Sequence, residues 1–392
     1  MSQRLINHSP DLKALRDSGY EIEVQNGFLL IHHIPYVQSD RDIYYGTLAC
    51  QLNLISDERT TKPASHVIFF QGEHPCDKNG TQIQSIKHQS SNQIIFNNFV
   101  VNHSFSNKPP NGYNDYYELV KTYCDIISSP AKSIDDSVTE KTFKTIIDSD
   151  IQTTFQYIDS NSSRANINLI SDKLKSEKIG IIGLGGTGAY ILDFIAKTPI
   201  KEIRLFDGDK FLQHNSFRSP GAASIETLNQ NMSKVEYYKS IYSNIHNNIL
   251  AYSEFITSDN LMYLDGLSCV FISLDRGSIK KEIMEYLLDH EISFIDVGMG
   301  INRVDDSLLG TIRVTTGSKT KKDHLIKRIS FDDDKKNEYN TNIQIVELNA
   351  LNASLAVIKW KKLCGFYNDL EKEFNTTYSI NVSQLLNDET TA

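Results

Sequence analysis

An α/β fold is predicted for this sequence, with a parallel-sheet domain in the C-terminal half preceded by a smaller α+β domain. Three observations predict it. Lys178 to Ile182 reads as a short apolar strand that runs through Gly183-Leu184-Gly185-Gly186-Thr187-Gly188 into a helical stretch, Ala189 to Lys197. Downstream, short apolar runs alternate with amphipathic helical ones, the rhythm of parallel strands joined by crossovers. Upstream, strand-like runs flank Asn26-Gly27, a dipeptide that favours a tight hairpin turn.

With 392 residues, 40% of them hydrophobic, the chain is long enough to bury sizeable cores in two or three domains. A formal net charge of -9 argues against general nucleic-acid binding, which draws its affinity from clustered Lys and Arg that release counterions. The five cysteines are scattered and never form a Cys-x-x-Cys pair, so they suggest neither a disulfide framework nor a zinc ribbon and fit a reducing compartment. The N-terminal Met1 to His8 has no apolar signal segment, and no run approaches the roughly 18 apolar residues of a membrane span. A soluble, cytoplasmic protein without nucleic-acid or membrane partners is expected.

In the first half, Tyr20 to Gln25 and Phe28 to Ile34 are the hairpin strands. Leu48, Cys50, Leu52 and Leu54 alternate with other residues, and His66 to Phe70 is a compact β-type run. From Tyr116, the positions Leu119, Val120, Tyr123, Ile126 and Ile127 recur at three-and-four spacing, which puts them on one helix face. Polar text follows from Ser128 to Asn161 with Pro130 near its start, so the boundary is placed near residue 160, between domains 1–160 and 161–392. His66, His74, Cys76, His88 and His103 match no standard zinc spacing, and Gln71 to Cys76 reads better as a turn. Recruitment of a partner is the simplest role for this first domain.

The glycine turn of the second half has a chemical use. Gly183, Gly185, Gly186 and Gly188 let the backbone approach a phosphate, and the helix that follows offers free N–H groups at its start. Taken alone, such a turn also joins a strand to a helix for purely structural reasons. A second strand, Ile200 to Phe206, ends at Asp207, where a carboxylate would accept hydrogen bonds from ribose hydroxyls. NAD and ATP are equally served to this point. Cys269 to Ser273 and Ser293 to Val297 read as further strands, Ile279 to Leu288 and Asn349 to Leu363 as helices.

The next residues separate the two nucleotides. Asp207-Gly208-Asp209 leads into Asn215-Ser216-Phe217-Arg218, Ser233-Lys234-Val235 opens another helical stretch, and Asp275 follows the strand Cys269 to Ser273. In order and approximate spacing this series resembles the ThiF, MoeB and ubiquitin-activating superfamily, over about residues 160 to 365. The resemblance implies a Rossmann-like, ThiF-type nucleotide-binding domain and an adenylyltransferase that uses ATP and Mg²⁺ on the C-terminal carboxylate of a ubiquitin-like protein. By the family pattern Arg218 and Lys234 bind the phosphates, Asn215 hydrogen-bonds beside them, Asp209 assists, and Asp275 holds Mg²⁺. Arg164, ahead of the glycine strand, would reach into the neighbouring subunit of a homodimer. Such a set suits the reaction, because a carboxylate attacking a triphosphate brings two anions together and needs cations to align them. An isolated Arg or Lys is ordinarily a solvated charge, and it is the ordered series that points to a site.

The chain also departs from that pattern. No cysteine occurs between Asp275 and Lys362, so the crossover-segment nucleophile of many ubiquitin-activating relatives is missing, as is the paired Cys-x-x-Cys zinc site. Cys269 and Cys364 read as packing residues. Gly317 to Asn340, rich in Lys and Asp, reads as a mobile or partner-contacting loop. Residues 342–353, with the N-terminal half, resemble bacterial ThiF-family proteins that carry an uncharacterised N-terminal domain. By association this implies a ubiquitin-like substrate and a conjugating-enzyme-like acceptor. Other readings are adenylation of a small-molecule carboxylate or a modified tRNA, and a non-catalytic nucleotide-binding scaffold. An NAD-dependent oxidoreductase would leave Asn215, Arg218 and Lys234 without a purpose.

Overall fold

The structure, a computed structural model, describes residues 2–56, 59–97, 99–146, 153–274, 277–331 and 343–390. It divides into two compact units, Met1–Asp148 with Ile158–Asn166, and Ser149–Tyr157 with Ile167–Ala392.

The first unit opens with α1 (Ser2–His8) and α2 (Pro10–Asp17), followed by β1 (Glu21–Gln25), β2 (Phe28–Val37) and β3 (Ile43–Gln51). A small pair, β4 (Leu54–Ser56) and β5 (Arg59–Thr60), precedes β6 (Val67–Gln71), β7 (Lys87–Phe96), β8 (Phe99–Ser106), α3 (Tyr116–Ile134) and α4 (Ser160–Arg164). Six strands pair antiparallel in the order β1-β2-β3-β6-β8-β7. The first hairpin closes between Gln25 and Phe28, with φ of 48° at Asn26 and 77° at Gly27, the doubly left-handed turn that matches strand twist. Helix α3 buries Tyr116, Leu119, Val120, Tyr123 and Ile127, and Asp115 caps it by accepting from the Glu118 N–H at 2.8 Å. The helix does not stop at Ser128 as the polar text suggested. It continues through Pro130, because Ser128 and Ala131 are fully buried and Ala131 packs with Val37 and Cys76, which offsets the missing N–H.

The second unit contains α5 (Asn168–Ser171), β9 (Lys178–Ile182), α6 (Gly186–Ile195), β10 (Glu202–Phe206), α7 (Gln213–Ser216), α8 (Ile225–Asn229), α9 (Lys234–Tyr242) and β11 (Ile249–Tyr252). It goes on with β12 (Cys269–Ile272), α10 (Gly277–Asp289), β13 (Ser293–Val304), β14 (Ser307–Gly317), α11 (Leu325–Arg328), α12 (Val346–Leu363), β15 (Asn375–Ser379) and β16 (Gln384–Asp388). One sheet runs β11-β10-β9-β12-β13-β14-β15-β16, parallel as far as β13 and antiparallel beyond. The parallel strands are largely apolar because both faces are covered. Ile179, Ile181, Leu205, Val235 and Trp360 fill one core; Ile182, Val270, Ile272, Phe294, Ile283 and Leu287 fill the other. Strand order reverses between β9 and β12, and in such sheets a crevice opens beyond the carboxyl ends of the strands at that point.

Two local differences from expectation have physical reasons. Strand β13 does not end near Val297 but pairs with β14 as far as Val304, so a long hairpin overhangs the parallel core. Within Gly317 to Asn340, the segment before residue 332 is packed in part: Leu325 and Ile329 are buried in the second core, and His324 Nε2 lies 3.0 Å from the Thr316 carbonyl, while Ile326 is exposed. Residues 332–340 fall outside the described residues. No described helix is long and apolar enough to cross a membrane.

Trp360, the one tryptophan in the chain, is 1% exposed and lies edge-on to Phe271 at 6.5 Å. Its fluorescence therefore reports this unit. Phe294→Ala, which empties the opposite core, is expected to cost about 3–5 kcal/mol in denaturant unfolding followed at Trp360. An unchanged midpoint would show that the two cores do not unfold together.

Candidate active site

The site lies at the carboxyl ends of β9 and β10, where the glycine turn leaves the sheet. Gly183 has φ of +86°, a left-handed conformation that disfavours other residues, and a Cβ there would stand 2.3 Å from the Ser273 carbonyl oxygen. A Cβ on Gly188 would meet the Gly183 carbonyl oxygen at 1.9 Å, and one on Gly186 would meet Asn349 Nδ2 at 1.9 Å. These three glycines are required by the protein's own packing. Gly185 is different. It caps α6 from extended backbone and a Cβ there would have nothing within 4 Å, so its small size leaves open space at a helix N-terminus.

Asp207, 5% exposed, binds this turn to the rest of the site. One carboxylate oxygen accepts from the Leu184 N–H at 2.7 Å and the other from the Asp209 N–H at 2.9 Å. Lys234 stands 3.4 Å from Asp207 and 2.7 Å from Asp209 Oδ2. The lysine enters at the first turn of α9, whose N-cap Ser233 accepts from the Glu236 N–H, and its own N–H donates to the Asp209 carbonyl at 2.9 Å. Asp207 thus has both oxygens engaged within the fold, whereas the Asp209 side chain is 58% exposed. The latter is the carboxylate open to a ligand.

Asn215 and Arg218 approach from the α7 segment. The Asn215 Oδ1 accepts from the Leu212 N–H at 2.8 Å and closes the turn, while its Nδ2 is buried with no hydrogen-bond partner. The Arg218 Nε is likewise buried and unpartnered, and among the described residues no carboxylate pairs with this guanidinium. Buried donors left unpaired are costly, and an anion accepting from both would remove that cost. Burial also pushes the Tyr238 hydroxyl up, with Ser219, Asp207 and Arg218 close by.

Sequence reasoning missed Asn349, which holds these parts together. From α12, 1% exposed, it accepts from Thr187 Oγ1 at 2.9 Å and donates to the Arg218 carbonyl at 3.1 Å.

Arg164 belongs to the first unit, where its guanidinium donates to the Asp17 carbonyl at 2.8 Å and lies over the Phe143 ring. Asp275, expected to hold Mg²⁺, falls outside the described residues. Among those described, no group of three or more His, Cys, Asp or Glu is placed to hold a metal. Cys269 is buried, and burial beside Glu177 pushes the Cys364 thiol up to about 12, far from the thiolate a nucleophile needs.

Residues 159–364 match the ThiF family, and residues 10–160 match a domain of unknown function, DUF6791. The tRNA threonylcarbamoyladenosine dehydratase of Haemophilus influenzae is 27% identical over 161 residues, 40% of this chain. The chain spans 59% of that relative's length. E. coli MccB in complex with MccA-N7isoASN is 19% identical at a TM-score of 0.47, covering 57% of this chain and 68% of MccB. PaaA is 18% identical at 0.44, covering 59% and 80%.

The glycines provide a test that separates packing from binding. Gly188→Ala is expected to destabilise the free protein by about 1–3 kcal/mol, because backbone must move. Gly185→Ala should leave thermal unfolding of the free protein within about 0.5 kcal/mol while weakening nucleotide binding at least tenfold, measured by titration. Equal nucleotide affinity for Gly185→Ala and the natural chain would remove the phosphate from this turn.

Proposed function

We propose that this chain, which belongs to the ThiF family, adenylates the C-terminal carboxylate of a small ubiquitin-like protein with ATP. Family membership points to ATP-dependent adenylation of a carboxylate, and the protein substrate is our finer reading. What carries the nucleotide part of this reading is Arg218, a half-buried cation without a carboxylate partner among the described residues, its Nε unsatisfied, its carbonyl joined through Asn349 to Thr187 in the first turn of α6.

In this reading the triphosphate lies across the glycine turn. Arg218 and the Asn215 Nδ2 donate to its oxygens, Lys234 turns from Asp209 toward phosphate, and Asp209 takes the ribose contact expected of Asp207, whose two oxygens are engaged within the fold. The substrate carboxylate forms a bond to the α-phosphorus as the bond to the bridging oxygen breaks. The products are an acyl adenylate and pyrophosphate, with the departing charge met by the guanidinium and ammonium. Asp275 is assigned to Mg²⁺, which when bound would offset further phosphate charge. Arg164 is assigned to a partner subunit's site in a homodimer. With Cys364 held as a thiol, a nucleophile of a conjugating-enzyme-like acceptor takes the acyl group directly as its bond to the AMP oxygen breaks and AMP leaves, and the first unit recruits a partner.

The Haemophilus relative favours a second reading, since a threonylcarbamoyl group on tRNA also carries a carboxylate. The net charge of -9 weighs against a tRNA partner.

ATP–pyrophosphate exchange tests both readings. With ubiquitin-like proteins as substrates, Arg218→Ala and Asp275→Ala are each expected to lose about 10²–10³-fold, and Cys364→Ala to retain exchange. Exchange supported by tRNA alone would select the second reading. ATP binding without exchange on any substrate would leave a nucleotide-binding scaffold.

A further inference from the structure

A second cluster of charge stands on the other side of the crevice. The register aligns the strand ends in one row, Ile182 beside Ile272, Ile272 beside Asp296, Asp296 opposite Thr315 and Thr315 opposite Asn375. Asp296 is fully buried at the point where the β13–β14 hairpin begins to overhang the parallel core. Lys280, in the first turns of α10 and 6% exposed, reaches Asp296 Oδ1 at 2.9 Å. Arg313 Nη2 donates to Asp296 Oδ2 at 2.6 Å, and its Nη1 to Thr315 Oγ1, which in turn donates to Asn375 Oδ1 at 2.7 Å. The guanidinium lies against Gly298, where a Cβ would stand 2.8 Å from Nη2. Among the described residues, Asp296 is the one carboxylate paired with either cation.

Two cations therefore share one carboxylate in a place largely closed to water. The Arg313 side chain is 19% exposed, against 8% for Lys280 and 0% for Asp296, so it is the most open member of the cluster. A charge cluster built only to tie β13 to β14 and α10 would be neutral at lower desolvation cost. An excess positive charge, rigidly held, suits a ligand anion, and Arg presents a preformed fork for a carboxylate. Position says which ligand. The nucleotide residues Asp207, Asp209 and Lys234 lie at β10 and α9, so the opposite flank, β12 and β13, is left for the molecule being activated. Asp296 lies two strand spacings from β9, about 10 Å, which an extended chain crosses in about three residues.

Resting on the reading of a peptide or protein tail as substrate, we infer that Lys280 and Arg313 read an acidic side chain about three residues before the carboxylate to be adenylated. Asp296 positions both cations and is not itself a contact. An acidic tail lying along this flank directs its terminal carboxylate toward the glycine turn, and a neutral tail leaves the cluster unmatched.

The probes are two fluorescent decapeptides with free C-termini, identical except for Glu or Gln at the third residue from the end. Their binding is measured by anisotropy and their adenylation by pyrophosphate exchange. The Glu peptide is expected to bind on the order of tenfold more tightly. That ratio should fall to about one in Arg313→Gln and in the paired exchange Arg313→Gln with Asp296→Asn, which avoids stranding a buried carboxylate. Arg313→Lys should keep part of the preference. Nucleotide affinity, unchanged in each variant, confirms folding. Equal binding of the two peptides to the natural chain, or a Glu preference that survives Arg313→Gln, overturns the inference. A Glu preference in binding without exchange on either peptide upholds it and instead overturns the adenylation reading.

Discussion

The Asp207 carboxylate is the interaction on which the nucleotide side of this site depends. It sits at the end of β10, yet its hydrogen bonds reach the glycine turn after β9 through Leu184 and the following loop through Asp209, with the Lys234 ammonium beside it. A buried carboxylate needs such company, since without donors and a cation its desolvation would be prohibitive. The same requirement fixes three chain segments relative to one another. The conformations of the glycine turn and of the Asp209 loop follow from satisfying one buried charge.

Asn349 does for neutral groups what Asp207 does for charged ones. Its amide joins α6, at Thr187, to the backbone of Arg218, so α12, distant in sequence, ties the first turn of α6 to the chain segment that carries the guanidinium. Gly186 is small because this amide occupies the space a Cβ would need. Gly185, one residue earlier, faces nothing. The contrast shows how a run of glycines divides between positions the fold requires and a position left open for something else. Around that opening the Asn215 Nδ2 and Arg218 Nε remain unsatisfied, two donors that an anion could complete.

Across the crevice the sheet changes character. Parallel strands end together at Ile182, Ile272 and Asp296, and only β13 continues, because β14 folds back along it and satisfies its backbone. That overhang is what places Arg313 beside Asp296, since antiparallel pairing sets Gly298 opposite Arg313 and leaves room for the guanidinium. Two flanks of unlike construction result: one of carboxylates holding a lysine, the other of cations sharing a carboxylate.

Local pattern determined much of this protein. Strand β9, the glycine turn, α6, β10 and the N-terminal hairpin are written in short-range spacing and in residues with particular backbone preferences, so sequence alone located them. Gly183, Gly185, Asp207, Asn215, Arg218 and Lys234 could be picked out by order along the chain, though not by what each touches. Helix α3 past Pro130, the full length of β13, and the packed part of the segment after Gly317 were decided by tertiary contacts, through the burial of Ala131, the pairing with β14 and the burial of Leu325. Asn349, Lys280, Asp296 and Arg313 had no local signature. A buried polar side chain acquires its meaning from partners that only folding brings within hydrogen-bond distance, and those partners lie far away in the sequence.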